Sequence, residues 1–382
     1  MKKIAAFLVV PLLCSCSQQV PSSSDSAEAP TAYIQEREQL GIEVPAGRAP
    51  LNFREQVGRW FPYTEYDQYI RGRSEEEFRQ EVQKRFSDAA AEGVNTVYLH
   101  ARPSGDAYYR SELFPPGALL DGDYDPLAIM TEEAHKQGLS VHAWVNPLRL
   151  QTREQMENVP DTYITKQWAS DPELPYAKLV GDRWYLDPAY SEVRELIAEG
   201  VTEILENYDV DGIHIDDYFY PTTEESFDRE AFERSGSSDL ARWRRDNVTA
   251  MVKGIYDAVK AHDGRQVFGI SPQGNIAADL DGQYADVRLW AGEKGYCDYI
   301  LPQIYYGFRN ESLPFEETLQ AWEELRGDSG VGLIIGLAGY KEGKPDKWAG
   351  AGEQEWVEDS GVIERQIDAV KASGADGYAV YY

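Results

Sequence analysis

The sequence predicts an α/β protein, a (β/α)8 TIM barrel over residues 51–382. Three observations support this fold class. Eight strand-like segments alternate with helical segments, which is the sequence pattern of a parallel barrel. The chain has 382 residues, enough for one barrel after a short leader. Acidic, amide and aromatic residues gather just after the strand-like segments, where barrel enzymes carry their chemistry.

Alternating apolar and polar residues define the strands, and Gly or Pro residues bound them. We predict strands at 57–61, 95–102, 140–146, 211–216, 266–271, 297–305, 330–337 and 376–382. Helices are predicted between them at 74–91, 125–138, 192–208, 240–262, 284–295, 315–326 and 362–373. The sequence stops on the eighth strand, so the expected barrel lacks its last helix.

Two helix starts carry capping signals. Ser74 precedes Glu77 by three residues, as in a capping box. Asp125 at the cap is followed by Pro126 at the first helical position, and both are favoured there. The acids before Pro126 are spaced as in a calcium loop, but Pro126 stands where that loop needs glycine, so capping is the predicted role.

Residues 1–15 are predicted to be a lipoprotein signal peptide. Lys2 and Lys3 precede a short apolar run, which is too short to span a bilayer. Cys16 follows Leu-Cys-Ser in a lipobox-like pattern and is the predicted lipidation site. Residues 16–50, rich in Ser, Pro and Glu, are the predicted flexible tether. The expected location is the cell envelope, periplasm or cell surface, on a bacterial membrane that is contacted only through the lipid.

The charge excludes one class of partner. The net charge is −29, and loss of residues 1–15 removes two lysines and no acid. Such a surface repels nucleic acid and anionic membranes, and it suits neutral or cationic polymers. Of three cysteines, Cys14 leaves with the signal peptide, Cys16 is the anchor and Cys297 stands alone, so no intramolecular disulfide is expected.

The stretch Asp211–Pro221 combines a strand pattern with a dense group of acids and aromatics. Two isoleucines alternate with His214 and Asp216, so the two sets face opposite sides of a strand. In a parallel barrel the apolar set packs under the helices and the other set points inward. Asp216 is therefore predicted to be catalytic, at the carboxyl end of the fourth strand. Asp217 is the second predicted catalytic residue, although alternation directs it away from the barrel axis unless the chain turns.

Polar and aromatic residues follow most of the predicted strands. Aromatic faces stack on the apolar faces of sugar rings, and amides and carboxylates bind hydroxyl groups, so a carbohydrate cleft is predicted. The predicted substrate-binding residues are Arg102, Asp106, Tyr108, His142, Asn146, Arg149, His214, Tyr218, Tyr220, Ser271, Gln273, Gln303 and Tyr305. The insert at 147–188 is expected to form part of this cleft. The alternative for some tyrosines is half-buried packing.

Metal-assisted hydrolysis is the rival chemistry. His100, His142 and His214 lie on successive strands and could converge, with Asp216 as a fourth ligand. His142 and His214 lie well before their strand ends, however, deeper than an open catalytic site needs. Hydrogen-bonded core histidines are therefore expected, with no metal and no other cofactor. The sequence has no nucleophile elbow, no glycine-rich phosphate loop and no Cys–His pair.

Several motifs in order resemble the glycosyl hydrolase-like 10 family of exported barrel proteins. They are Arg102-Pro-Ser-Gly-Asp-Ala-Tyr-Tyr-Arg-Ser111, Ala134-His135, His142-Ala-Trp-Val-Asn-Pro147, Leu186-Asp187-Pro188, Asp211–Pro221, Gly269-Ile-Ser-Pro272 and Pro302-Gln-Ile-Tyr305. The resemblance covers about residues 54–382. It implies a glycosidase-type barrel related to the α-amylase superfamily, often a lipoprotein, with cell-wall glycan as a possible substrate.

The resemblance carries over residue by residue only in part. Gly212-Ile-His-Ile-Asp216 is similar to the amylase pattern that places the nucleophile at the end of the fourth strand, but His214 replaces its arginine. The fifth strand lacks the glutamate that serves as acid in amylases. The acid must then be Asp217, if the backbone turns, or Asp106 or Glu112 from the loop after the second strand.

The sequence therefore predicts a glycoside hydrolase that acts on a polysaccharide or cell-wall glycan outside the cytoplasm. The missing acid after the fifth strand supports one alternative, a glycan-binding lipoprotein without catalysis on a hydrolase-like barrel.

Overall fold

A computed structural model describes residues 49–382. The predicted signal peptide, the lipidation site Cys16 and the tether up to residue 48 lie outside the described residues. Within residues 49–382, no helix combines the length and the apolar character needed to cross a membrane.

Eight parallel strands form a closed barrel, which confirms the predicted fold class. The strands of the described chain are β1 (Gln56–Phe61), β2 (Thr96–Arg102), β3 (Ser140–Val145), β4 (Arg149–Thr152), β5 (Ala177–Val180), β6 (Arg183–Leu186), β7 (Gly212–Ile215), β8 (Val267–Ile270), β9 (Tyr299–Ile300), β10 (Gly332–Ala338) and β11 (Gly377–Tyr381). The barrel order is β1-β11-β10-β9-β8-β7-β3-β2. β7 is therefore the fourth barrel strand and β8 the fifth.

Helices connect the barrel strands. They are α1 (Tyr66–Tyr69), α2 (Glu75–Ala91), α3 (Pro126–Lys136), α4 (Arg153–Glu157), α5 (Ile164–Ser170), α6 (Ser191–Asn207), α7 (Arg229–Ser235), α8 (Leu240–His262), α9 (Ile276–Gly282), α10 (Val287–Gly292), α11 (Phe315–Arg326), α12 (Glu355–Glu358) and α13 (Val362–Ala372), with 3-10 turns at Tyr63–Glu65, Gly339–Lys341 and Gly350–Gly352. No helix follows β11 among residues 49–382.

Both predicted helix caps are present. The Ser74 hydroxyl accepts a hydrogen bond from the Glu77 amide, and the Glu77 carboxylate accepts from the Ser74 amide, as a capping box requires. The Asp125 carboxylate accepts from the Ala128 amide at 3.0 Å at the start of α3. These contacts satisfy backbone N–H groups that have no partner inside a helix.

Two predicted elements differ in the structure. The predicted helix at 284–295 is shorter and begins at Val287, because Tyr284 adopts a left-handed backbone with φ 52°. The predicted strand at 297–305 is regular only over Tyr299–Ile300, and Gln303 pairs through isolated bridges. Pro302 has no N–H group for a ladder hydrogen bond, so regular pairing cannot continue through it.

The insert at 147–188 folds into a small antiparallel sheet in the order β4-β6-β5. Gln151 Nε2 donates to the carbonyl of Gly105 at 2.8 Å, which fastens this sheet to the loop after β2. Because β4 follows β3 after only three residues, Arg149 at the start of β4 remains close to the C-terminal ends of the barrel strands. We call these strand ends the mouth of the barrel.

The opposite end of the barrel is held by one buried acid, Asp211, just before β7. Its carboxylate accepts from the Val141 amide at 2.8 Å and contacts His135 Nε2 at 2.8 Å. His135 lies in the last turn of α3, so this contact ties a helix, β3 and β7 together. Asp211, the first acid of the Asp211–Pro221 motif, therefore has a structural role.

Candidate active site

A chain of hydrogen bonds runs through the barrel interior. Trp60 Nε1 can only donate, so at 3.2 Å it fixes His214 Nε2 as an acceptor. His214 Nδ1–H then donates to the Tyr299 hydroxyl at 2.9 Å, and that hydroxyl donates to His142 Nδ1 at 2.8 Å. His142 Nε2–H is left to donate to the Asn52 side-chain oxygen at 3.3 Å. Every donor in this chain has an acceptor.

This interior chain keeps both histidines neutral. Burial lowers the pKa of His142 to about 4 and places the pKa of His214 well below its ordinary value. All four ring nitrogens are engaged in hydrogen bonds, so neither imidazole offers a free nitrogen to a metal or a sugar. The prediction that His142 and His214 bind substrate is therefore corrected: they hold the barrel core together.

One glycine makes room for this chain. Tyr299 crosses the barrel interior above Gly269 of β8, and a Cβ atom at Gly269 would lie 1.8 Å from the Tyr299 ring. A larger residue at position 269 would displace the hydroxyl that joins the two histidines. Among residues 49–382, no group of three or more His, Cys, Asp or Glu side chains is arranged to hold a metal ion.

Asp216 and Asp217 meet at the mouth, just after β7 ends at Ile215. The chain bends here, so alternation no longer applies and the two adjacent carboxyl groups reach the same site. Asp217 accepts a hydrogen bond from Gln303, which follows β9, and its charge acts directly on Asp216. We call these two residues the carboxyl pair.

Burial raises the pKa of both members of the carboxyl pair. For Asp216, burial is the largest cause and the neighbouring charge of Asp217 is the second, and its pKa lies well above the ordinary value. For Asp217, burial raises the pKa against the opposing effects of Gln303 and Arg149. Two carboxylates in one desolvated site cannot both ionise easily, so the pair retains a proton that isolated aspartates would have lost.

The charge of Arg149 acts on both members of the carboxyl pair. It favours the ionised form of both carboxyl groups. Its guanidinium lies 4.7 Å from the centre of the Tyr218 ring, which is 46% exposed. The insert thus contributes to the mouth through this arginine, and Tyr218 presents an open aromatic face beside the acids.

Amide side chains line the strand ends on both sides of the carboxyl pair. Gln303 Nε2 donates to the Ser271 carbonyl at 3.1 Å, and the buried Ser271 hydroxyl has no hydrogen-bond partner among the described residues. Gln273 pairs with Gln303 in an isolated parallel bridge. After β3, the Asn146 side-chain oxygen accepts from Trp144 Nε1 at 3.1 Å. Four predicted binding residues therefore lie around the pair.

Three tyrosine rings form an aromatic band at the mouth. Tyr305 stacks on Tyr381 with ring centres 6.4 Å apart, and Tyr340 meets both rings edge-on at 5.8 Å. The charges of Asp216 and Asp217 contribute to the raised pKa of Tyr305, so the band begins beside the carboxyl pair. A sugar chain bound at the pair would meet aromatic faces on this side.

The Glycosyl hydrolase-like 10 family matches residues 63–357 of this chain. The chain belongs to this family. It is 33% identical over 306 residues to "Glycosyl hydrolase DigH" of Escherichia coli K12, covering 72% of this chain and 69% of that protein. It is 33% identical over 330 residues to "Glycosyl hydrolase YngK" of Bacillus subtilis 168, covering 79% of this chain and 64% of that protein.

Solved structures of low sequence identity share the fold. The glycoside hydrolase domain of PgaB (BpsB) from Bordetella bronchiseptica aligns with a TM-score of 0.58 at 16% identity, over 86% of this chain and 93% of that domain. An α-amylase from Geobacillus thermoleovorans aligns with a TM-score of 0.51 at 10% identity, over 87% of this chain and 71% of the amylase. At these identities the likeness shows a TIM barrel of the kind that glycoside hydrolases use.

Arg102 begins the first motif of the resemblance and is predicted to bind substrate. The structure corrects that prediction. A β-bulge interrupts the β2–β3 register between His100 and Arg102. The extra residue turns Arg102 to the outer face, where its guanidinium lies 4.1 Å from the Phe114 ring and presses against Gly200 of α6. Arg102 therefore joins the barrel wall to the surrounding helix.

Three further predicted binding residues have internal roles. Asp106 is buried, and its carboxylate accepts from the Ser104 amide at 2.9 Å; burial raises its pKa to about 6. Tyr108 is buried edge-on against Tyr66, with ring centres 4.8 Å apart. The buried Tyr220 hydroxyl donates to Asp228, which also binds Arg244. None of the three predicted residues presents a face to the mouth.

Sequence reasoning missed two features of this family member's site. Asp279 of α9, which follows the fifth barrel strand, is fully buried; burial raises its pKa to about 9, and the charge of Asp217 adds to this effect. It accepts from the Gln273 amide at 3.1 Å, so it fixes the loop rather than facing a ligand. Trp348 lies 90% exposed in the loop after β10. Neither residue has a periodic pattern around it that would have marked it.

Proposed function

We propose that this family member is a glycoside hydrolase that cleaves a polysaccharide or cell-wall glycan outside the cytoplasm. The observation that carries the proposal is the carboxyl pair, placed at the mouth of a TIM barrel, where burial raises the pKa of both residues. Hydrolysis of a glycosidic bond needs one protonated and one ionised carboxyl group in the same site. Two adjacent aspartates with raised pKa values supply both forms together.

Each form has a defined task. The protonated carboxyl donates its proton to the glycosidic oxygen as the bond from that oxygen to the anomeric carbon breaks. The ionised carboxylate stabilises the positive charge that develops at the anomeric carbon. A water molecule then adds to that carbon and gives its proton to the carboxyl that protonated the glycosidic oxygen, which restores the acid. Arg149 favours ionisation within the pair, and the repulsion between two neighbouring carboxylates opposes the loss of the second proton.

Other acids are poorly placed to replace a member of the pair. Asp106 is buried and bonded within its own loop, and Asp279 has no exposed surface. Asp346, after β10, is bound to Lys341 at 2.7 Å. Glu112, the remaining predicted alternative, is exposed on the outer side, where its amide donates to Glu203. The acid missing after the fifth strand is therefore best supplied by Asp217.

Binding would come from the surrounding neutral groups. Gln303 and Gln273 offer amide groups to hydroxyls, and Tyr218 and Tyr305 offer aromatic faces. Asn146 is buried, and both of its amide atoms are bonded to Trp144 and to the Pro103 carbonyl, so the prediction that it binds substrate is corrected. The net charge of −29 favours a neutral or cationic polymer over an anionic one. These neutral groups suit an uncharged glycan. A glycan-binding protein without catalysis would use the same groups, so they support binding and not hydrolysis.

The test is product release from a panel of glycans by wild type, Asp216→Asn and Asp217→Asn. Chitooligosaccharides, starch oligomers and denuded peptidoglycan form the panel, and new reducing ends are counted. We expect wild type to release reducing ends from one glycan class and both variants to bind it without cleaving it at the wild-type rate. Calorimetric heat with no reducing ends from wild type would identify a glycan-binding protein instead.

A second substrate separates the two roles. An aryl glycoside with a good leaving group needs little help from an acid. The variant that regains activity on the aryl glycoside therefore lacks the proton donor, and the variant that stays slow lacks the ionised carboxylate. Recovery by both variants, or by neither, would contradict a division of roles within the pair.

We also propose that Cys16 carries a lipid that anchors the barrel to a membrane of the cell envelope. The support is the lipobox-like Leu13-Cys14-Ser15-Cys16 after a short apolar run. Cys16→Ala should abolish incorporation of a labelled fatty acid and release the protein from the membrane fraction. Cys14→Ala is the matched control and should keep both. Labelling that persists in Cys16→Ala would sink the anchor.

A further inference from the structure

Trp348 is the most exposed large apolar side chain among the described residues, at 90% of its surface. It belongs to the loop at residues 342–354, between β10 and α12, which we call the Trp348 loop. This loop lies on the mouth side of the barrel because it follows the C-terminal end of β10. A single exposed apolar residue is ordinary on a protein surface, so its meaning depends on what holds it there.

Buried polar contacts tie the Trp348 loop to the catalytic face. The Trp348 amide donates to the Asp346 carboxylate at 3.2 Å, and Asp346 binds Lys341 Nζ at 2.7 Å. The same ammonium donates to the carbonyl of Tyr305 at 2.7 Å. The Asp346 side chain is 3% exposed, so this is a desolvated, charge-assisted connection. The Trp348 backbone is thereby connected to the Tyr305 backbone.

Two glycines pack the Trp348 loop against the segment after β9. Gly350 has φ 57°, and a Cβ atom there would lie 2.2 Å from the Glu311 carboxylate. A Cβ atom at Gly352 would lie 2.2 Å from the Arg309 carbonyl. The Ala351 amide donates to that same Glu311 carboxylate at 3.2 Å. The Trp348 loop is therefore packed against the segment after β9. Because the loop backbone is already ordered, a ligand that binds there does not have to order it.

The aromatic band leads from the carboxyl pair toward this loop. Tyr381 and Tyr305 lie beside the pair, and Tyr340, which meets both rings, is 36% exposed. Tyr340 also joins the Trp348 loop, because its carbonyl accepts from Lys344 Nζ at 2.8 Å. The exposed fraction of the side chain thus increases from Tyr305 through Tyr340 to Trp348. A row of aromatic side chains that extends from a cleft onto the protein surface would show this increase.

We propose that Trp348 and Tyr340 form a distal sugar-binding subsite that holds glycan chains extending beyond the carboxyl pair. The ligand is an uncharged chain of pyranose units, whose apolar ring faces stack on the indole and the phenol. The inference rests on the proposed function, since it assumes that a glycan occupies the mouth. Its consequence is a preference for long chains, because short chains cannot reach both sites.

The experiment compares chain lengths with full-length wild type and Trp348→Ala. The probes are oligosaccharides, from disaccharide to octasaccharide, of the glycan in the panel that wild type binds. We expect Trp348→Ala to lower kcat/KM for the octasaccharide about 5- to 10-fold, the scale of one lost aromatic stacking contact. Activity on the shortest cleaved chain should not change. Trp348→Phe should recover part of the loss, which a merely structural role would not predict.

Val357→Ala is the matched control, since Val357 lies in α12, is 48% exposed and is not aromatic. It should leave all chain lengths unaffected. Equal activity of wild type and Trp348→Ala on long chains, or an equal loss on every length, would overturn the subsite. A change confined to vesicle binding or to oligomeric state would also overturn it in favour of another partner.

Calorimetry with the same oligosaccharides separates this inference from the proposed function. If wild type binds long chains more tightly than short ones without cleaving them, and Trp348→Ala removes the difference, the subsite stands and the hydrolase proposal fails. If wild type cleaves glycans and chain length has no effect, the hydrolase stands and the subsite fails. Absence of any glycan binding would overturn both.

Discussion

The interior and the mouth of this barrel use polar groups in opposite ways. In the interior, Trp60, His214, Tyr299 and His142 form a chain in which each donor meets an acceptor. At the mouth, Asp216 and Asp217 are placed together although their charges oppose each other. This chain of hydrogen bonds leaves none of its own donors unpaired, which supports stability. At the mouth, two buried carboxyl groups that repel each other when ionised lower stability. The same burial and closeness raise their pKa values, which acid–base chemistry requires.

This difference separates two kinds of buried polar residue that look alike in a sequence. His214 lies in β7 and Asp216 directly follows that strand, two residues further on, and both are buried. Loss of the first should damage the fold, and loss of the second should damage only the reaction. The following variants test that separation.

Asp216→Asn should give the largest effect. It removes one carboxyl from the pair, so the protonated and ionised forms can no longer coexist, and hydrolysis should fall by about a thousandfold or more. The measurement is release of reducing ends from a glycan that wild type cleaves, with melting temperature and glycan affinity as controls. Near-normal turnover would remove Asp216 from the reaction.

Tyr299→Phe should give the next largest effect, on stability. It deletes the hydroxyl that joins His214 to His142, leaving a ring donor and a ring acceptor unpaired, which should cost about 2–4 kcal/mol of unfolding free energy. Urea denaturation measures the loss. Tyr378→Phe on β11, where the ring is half-buried, is the control and should change little. If both variants are equally stable, the interior chain does not support the fold.

Asp106→Asn tests an acid that sequence analysis left as a catalytic alternative. The folded protein raises its pKa to about 6, so the fold binds this proton more tightly than the unfolded chain does. Wild-type stability should therefore fall, relative to the variant, as pH rises from about 4 to about 6, by about 1–3 kcal/mol. Denaturation at several pH values measures this trend. Hydrolysis should continue in the variant, and its loss would return Asp106 to the site.

Two neighbouring tyrosines should give the smallest and the most contrasting effects. Tyr218→Ala should weaken glycan binding by about 1 kcal/mol with little change in stability, because its ring is exposed beside Arg149. Tyr220→Phe should lower stability by about 1.5 kcal/mol and leave binding unchanged, because its hydroxyl donates to the buried Asp228. Calorimetry measures glycan binding and urea denaturation measures stability for both variants. A stability loss in Tyr218→Ala together with a binding loss in Tyr220→Phe would contradict these assignments.

The fold could be predicted from the sequence because each strand and most helices carry their own periodicity. Asp216 could be placed for the same reason, since it continues the alternation of β7. Arg102 could not, because a one-residue bulge in β2 reverses its side, and no residue pattern marks that bulge. Asp217 depended on a bend after Ile215 that alternation cannot express.

Loop residues were the least predictable part of the site. Trp348 and Asp279 lie in the segments that follow β10 and β8, and their positions relative to the carboxyl pair depend on how these segments fold. Their positions depend on contacts far apart in the chain, such as that of Lys341 with the Tyr305 carbonyl. Tyr108 and Tyr220 show the reverse case: their aromatic identity favoured a cleft, and their hydrogen bonds and packing place them inside the protein.

The central claim is that Asp216 and Asp217 share a proton, and titration by carbon NMR tests it most directly. With aspartate carboxyl carbons labelled and the signals assigned through the Asn variants, the pH dependence of both residues can be followed in the free protein. The claim predicts that one step of the pair lies well above the ordinary aspartate range and moves to lower pH in Asp217→Asn, because a like charge has been removed. Independent titration of both residues in the ordinary range would contradict it.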